Sequence, residues 1–211
     1  MNIYFWIIQL TSYIGLNNFT KTKFTIDKQI EYNNFADKRS KNYCCCKINN
    51  FNDVFSNIIY TIGGLYQLYQ YNYFLGVSSI LVSIGSAYYH LNPNMNTLFY
   101  DRLPMQFAFT YIIYDKIKIN LIEKLLVSLI SFGSLYYWSY NYDLIPYASF
   151  QLSMIIYWLL FDNNMFIPVI FYILAKICED NDLKIFNLTN KKISGHTFKH
   201  ILSGIAIFFI I

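Results

Sequence analysis

His196 and His200 lie four residues apart in the stretch SGHTFKH. On a helix this spacing puts both imidazoles on one face, where two side chains can bind one metal ion. The only other histidine, His90, closes the stretch GSAYYH, with Ser86 four residues before it on the same helical face. Asp101 follows in YDRLPM, across a short polar stretch. Three histidines with an open fourth position make a catalytic zinc arrangement, because the ion lowers the pKa of bound water to about 7 and polarises a carbonyl. That is hydrolase chemistry. Structural alternatives remain for two of the residues: Asp101 ahead of Leu103 and Pro104 suits a helix N-cap, and Gly85–Ser86 suits a close approach of two helices.

The elements that must position these residues are set by composition. Hydrophobic residues make up 55% of the 211-residue chain and charged residues 13%, with a mean hydropathy of +0.31. This is more apolar surface than a soluble core of this size buries, so the expected class is an all-α integral membrane protein. Seven core spans are expected near residues 54–71, 73–91, 103–114, 119–140, 144–161, 165–178 and 193–211, preceded by one additional hydrophobic helix at 3–16. The division is a hydrophobic segment over 1–16, a polar loop over 17–53 and a seven-span core over 54–211. The first segment lacks a basic start and a small-residue cleavage pattern, which favours an uncleaved anchor over a signal peptide. Counting spans puts the end of the second core span, the start of the third and the start of the last on one membrane side. The three histidines, Ser86 and Asp101 can therefore converge. Inside a membrane each ionisable side chain is expensive and marks function.

Other classes are excluded. The net charge of +4 is spread over loops without the basic stripe or motif of a nucleic-acid binder. Three of the four cysteines are consecutive, Cys44, Cys45 and Cys46, with Cys178 distant and no CxxC pair. Adjacent thiols chelate one ion poorly, and loop thiols or juxtamembrane acylation fit better. Three histidines are too few for a di-iron desaturase.

From about Ala36 to the C-terminus the segments ADKR, NFNDVFSNI, GSAYYHLNPN, YDRLPM, LAKICEDNDLKIF and SGHTFKH follow one another. In this order and spacing the chain resembles the alkaline ceramidase family, within the seven-span membrane hydrolases that include the adiponectin receptors. The resemblance implies that His90, His196 and His200 hold zinc with a water, and that Asp101 and Ser86 sit beside it. Animal members carry an acidic, tryptophan-containing calcium cluster before the first core span. Here that region reads ADKRSKNYCCCKINNFNDVFSN, with Asp37 and Asp53 as candidate ligands. It lacks tryptophan and holds several basic residues, which is closer to bacterial-type members and weighs against calcium.

The expected activity is a zinc-dependent amidase converting ceramide or a related N-acyl lipid to a fatty acid and a long-chain base. Water is the nucleophile, Asp101 orients and deprotonates it, and Ser86 helps hold the oxyanion or the water. One alternative is a non-catalytic zinc-containing receptor or lipid-binding protein, which the same ligands would serve. Another makes Ser86 a nucleophile with His90 as base, leaving His196 and His200 without a role. The expected partner is the bilayer and its lipid, in an endomembrane such as the ER or Golgi or in the plasma membrane. Lysines of the long loop favour a cytoplasmic site. The resemblance and the sequons at Asn18 and Asn187 favour the luminal or exoplasmic side.

Overall fold

The structure is a computed structural model that describes residues 3–20, 35–43 and 46–210. Cys44 and Cys45, and Lys21, Lys23 and Lys28 of the basic loop, lie outside the described residues. Among the described residues the fold is all-α apart from one short antiparallel hairpin, β1 (Lys41–Tyr43) and β2 (Cys46–Ile48). The helices are α1 (Ile3–Thr20), α2 (Phe51–Ser56), α3 (Ile58–Tyr69), α4 (Tyr73–Leu91), α5 (Met95–Lys116), α6 (Leu121–Asn141), α7 (Ile145–Phe161), α8 (Phe166–Asp180), α9 (Asp182–Leu188) and α10 (Gly195–Ile207), with a 3₁₀ turn at Asn163–Met165. The chain divides into two compact units, Met1–Glu31 with Gln106–Asn163, and Tyr32–Met105 with Asn164–Ile211.

Among the described residues helix α4 alone is long and apolar enough to cross a membrane; α7 and the Asn163–Asp180 segment pass only when counted together. On α4, Tyr73, Val77, Leu81, Ile84, Tyr88 and Leu91 are exposed, while the inward face carries Gly76, Ser78, Ser79, Ser83, Gly85, Ser86 and His90 beside three larger apolar residues, Leu75, Val82 and Tyr89. Small and polar residues inside with large apolar residues outside is the arrangement of helices packed in lipid.

In the first unit α7 packs against α1 and α6. Its core includes Phe5, Ile113, Val127, Leu135, Trp138, Phe150 and Met154. Helix α6 begins at a capping box in which Asn120 accepts from the Glu123 amide and Glu123 accepts from the Asn120 amide. The other Glu123 oxygen accepts from Trp6 Nε1 at 3.3 Å.

In the second unit α10 packs against α8, α3 and α2, and α4 packs against α3 and α2. Two helix boundaries differ from the sequence expectation. The span expected over 54–71 breaks at Asn57, because Ser56 Oγ and Asn57 Nδ2 both donate to the Asp53 carbonyl, at 3.0 and 2.7 Å. Side chains that compete for backbone acceptors in this way interrupt a helix. The span expected to open at 103 begins at Met95. Asn94 accepts from the Thr97 amide and the Thr97 hydroxyl accepts from the Asn94 amide, a reciprocal cap two turns earlier. Pro104 therefore lies inside α5, and Asp101 is an interior helical residue rather than an N-cap. Helix α9 occupies a stretch expected as loop.

Candidate metal centre

Two glycines set the approach of the helices that carry the site. A Cβ on Gly85 would lie 2.3 Å from the Tyr100 carbonyl oxygen and 3.3 Å from the Asp101 Cα. Pro104, four residues after Tyr100, has no N–H to donate to that carbonyl, so α4 meets α5 where the helix ladder is open. On Gly195 a Cβ would lie 2.1 Å from the Cys178 carbonyl and 2.7 Å from the Asp182 Cα. Only hydrogen fits at either contact. The first contact brings Ser86 beside Asp101, and the second seats the start of α10 on the α8–α9 junction.

Helix α10 is fixed at its N-terminus by carboxylates. Ser194 caps it, accepting from the Thr197 amide at 2.9 Å. The hydroxyls of Ser194 and Thr197 donate to Asp53 Oδ1 at 3.1 and 2.6 Å. Asp182 Oδ1 accepts from the His196 amide and Asp182 Oδ2 from the Ala36 amide, both at 2.8 Å. Carboxylates at exposed N–H groups complement the positive end of the helix. Burial pushes the Asp53 carboxyl up to about 7, the two hydroxyls offsetting only part of that effect.

His90, His196 and His200 are all buried, and one nitrogen from each lies within 4.8 Å of the others. The three could hold a metal ion. His196 Nε2 and His90 Nε2 are 3.2 Å apart, and a tetrahedral ion bonded to nitrogen at about 2.0–2.1 Å separates its ligands by about 3.3 Å. His200 Nε2 is buried without a hydrogen-bond partner. A buried polar atom left unpaired costs about 1–3 kcal/mol, and a bound cation removes that cost for an imidazole lone pair. An all-imidazole donor set suits zinc and other divalent transition metals alike.

No known protein family, curated protein or solved structure matches this chain. The site is therefore read from its own geometry. Ser86 donates to the Asp101 carboxylate, one helical turn before His90, so this pair stands beside the histidine group and is not part of it.

Several surrounding residues were not singled out from sequence. Ser56 Oγ is 2.8 Å from His200 Nδ1. The Glu179 carboxylate is 3.8 Å from His196 Nδ1 and pairs with Lys199 at 2.8 Å and Lys176 at 2.7 Å. Lys199, three residues after His196, shares its face of α10 and gave a faint signal. Phe35 sets its ring 4.7 Å from the rings of both His90 and His196. Of the two candidate calcium ligands, Asp37 is held by Arg39 at 2.6 Å and by Asn52 at 2.9 Å. Burial raises its pKa, but the Arg39 and Asn52 contacts outweigh this and hold the carboxyl below its ordinary value. Asp53 instead serves the start of α10.

Proposed function

We propose that the chain is a zinc-dependent membrane amidase of the alkaline ceramidase type, hydrolysing ceramide or a related N-acyl lipid to a fatty acid and a long-chain base. The observation that carries the reading is the buried three-histidine group with a serine–carboxylate pair one turn away. The apolar outer face of α4, over an inner face rich in small and polar residues, supports a multi-pass membrane setting, a seven-span bundle preceded by the N-terminal helix.

When bound, zinc would supply Lewis-acid polarisation of the amide carbonyl and acidify a water. His90, His196 and His200 would hold the ion through neutral imidazoles. The Asp101 carboxylate takes the proton from the attacking water, and its orientation is fixed by the Ser86 hydroxyl. Ser86 also offers its oxygen to the water or, on rotating, its proton to the developing oxyanion. Phe35 and the burial of the histidines limit bulk water at the centre. A serine-nucleophile route is disfavoured because Ser86 is bonded to Asp101, while His90 Nε2 faces His196.

The reading is tested on detergent-purified full-length chain, by metal analysis alongside a lipid-hydrolysis screen. The expected result is about one zinc per chain with fatty-acid release that strong chelation abolishes and zinc restores. Stoichiometric zinc with no turnover of any N-acyl lipid would leave a receptor or lipid-binding protein instead. Absence of metal binding would remove the reading altogether.

A further inference from the structure

The tautomer of His200 can be read from the donors and acceptors around its Nδ1. Ser56 Oγ lies 3.0 Å from the Asp53 carbonyl oxygen and 2.8 Å from His200 Nδ1. A serine hydroxyl has one proton to give and lone pairs with which to accept, whereas a carbonyl oxygen only accepts. The proton on Ser56 therefore serves the Asp53 carbonyl, which also accepts from Asn57 Nδ2 at 2.7 Å. Towards His200 the hydroxyl then acts as acceptor and Nδ1 carries the ring hydrogen, an assignment that the backbone contact of His200 to Asp53 also favours. In a neutral imidazole with a proton on Nδ1, Nε2 is a bare lone pair. That nitrogen is the buried atom of His200 with no partner.

We infer that Ser56 is a positioning residue which fixes His200 as the Nδ1–H tautomer and aims its Nε2 at the metal. The inference rests on the metal reading above and extends it to a residue on a different helix. The break after α2 makes the contact possible. Ser56 is the last residue of α2, and the helix packs against both α4 and α10. A hydroxyl bonded back to its own turn has a fixed direction, so the imidazole it faces is held in one ring orientation. Partners of this kind on the far nitrogen of a ligating histidine typically change metal affinity about 10- to 100-fold when removed.

The experiment uses the full-length chain in detergent with ¹⁵N-labelled histidine. Long-range ¹⁵N–¹H correlations on metal-free protein report the tautomer of each ring, and His200 is identified by the signals lost in His200→Asn. Zinc affinity is read by chelator competition on the parent chain, Ser56→Ala and Ser56→Thr. The expected results are an Nδ1–H His200 in the parent, a mixture of tautomers in Ser56→Ala with zinc bound about 10- to 100-fold more weakly, and recovery of both readouts in Ser56→Thr. A change that only loosened packing would not move the tautomer. An Nε2–H His200 in the parent, or equal zinc affinity with and without the hydroxyl, overturns the inference while leaving the metal reading in place. A parent chain that binds no zinc removes both.

Discussion

The two units bury their polar groups in different ways. In the first, the buried polar residues among those described are neutral apart from Glu123, and several bond one another between helices. Thr110 and Ser131 hydroxyls are 2.6 Å apart, Gln106 donates to the Ser131 carbonyl at 3.0 Å, and Ser153 donates to Gln9. Glu123 itself is used up in a capping box and a tryptophan contact. In the second, the buried set includes Asp37, Asp53, Asp101 and all three histidines, and Asp53 Oδ2, His90 Nδ1 and His200 Nε2 have no partner. Buried atoms without a partner occur in both units, Ser12 Oγ and Gln106 Oε1 among them in the first, but among the described residues those of the first unit all belong to neutral side chains, while the second leaves an aspartate and two histidines incomplete.

That contrast makes its strongest prediction at the histidines. His196→Ala leaves two imidazoles, too few for a tight site, so zinc content should fall from about one per chain to near zero and activity with it. Elemental analysis decides this, and unchanged zinc would mean that the ion sits elsewhere. Asp101→Asn should keep the zinc and lose about 10²- to 10⁴-fold in turnover, as removal of a general base does. Near-normal turnover in that variant would reduce Asp101 to a packing residue. Ser86→Ala should lower the rate about 10²- to 10³-fold while leaving it measurable. A serine-directed phosphonate should form no adduct at this position, which mass spectrometry of the Ser86 peptide checks. Gly85→Ala puts a methyl 2.3 Å from the Tyr100 carbonyl and must part α4 from α5. Displacing a catalytic pair by about 1 Å costs about 10²-fold, so turnover should drop with zinc retained. The smallest effect belongs to the first unit. Thr110→Val removes a hydroxyl pair and should lower stability by about 1 kcal/mol, read as the unfolding midpoint, with zinc content and turnover per folded molecule unchanged. A large loss of activity there would erase the distinction between the units.

Much of the helical order was legible in the sequence, because apolar runs bounded by polar breaks report helices directly. Helix α4 (Tyr73–Leu91) has the bounds expected for its span, and α6 (Leu121–Asn141) lies close to them. The expectation failed where a local hydrogen bond outweighed hydropathy. The Asn94–Thr97 cap starts α5 two turns before Pro104, and the Ser56 and Asn57 side chains end α2 inside an apolar run. Both misreadings touched the site. The first had made Asp101 a possible cap, and the second concealed that Ser56 ends a helix.

Residue type and near-neighbour spacing determined the candidate chemistry. His196 and His200 share a face, and Ser86 precedes His90 by one turn, because helical geometry is local and repeats every 3.6 residues. The alternation of apolar runs with polar breaks likewise determined that the chain is helical. Tertiary structure alone decided which distant groups complete the centre. Ser56 meets His200 across 144 positions and His90 meets His196 across 106, and no local periodicity encodes such pairings. Gly85 and Gly195 act in the same way on other pairs, letting α4 close on Tyr100 and Asp101 and the start of α10 close on Cys178 and Asp182 at distances that a Cβ would forbid. A glycine in the sequence shows where a close approach is allowed, and only the packed helices show what approaches it.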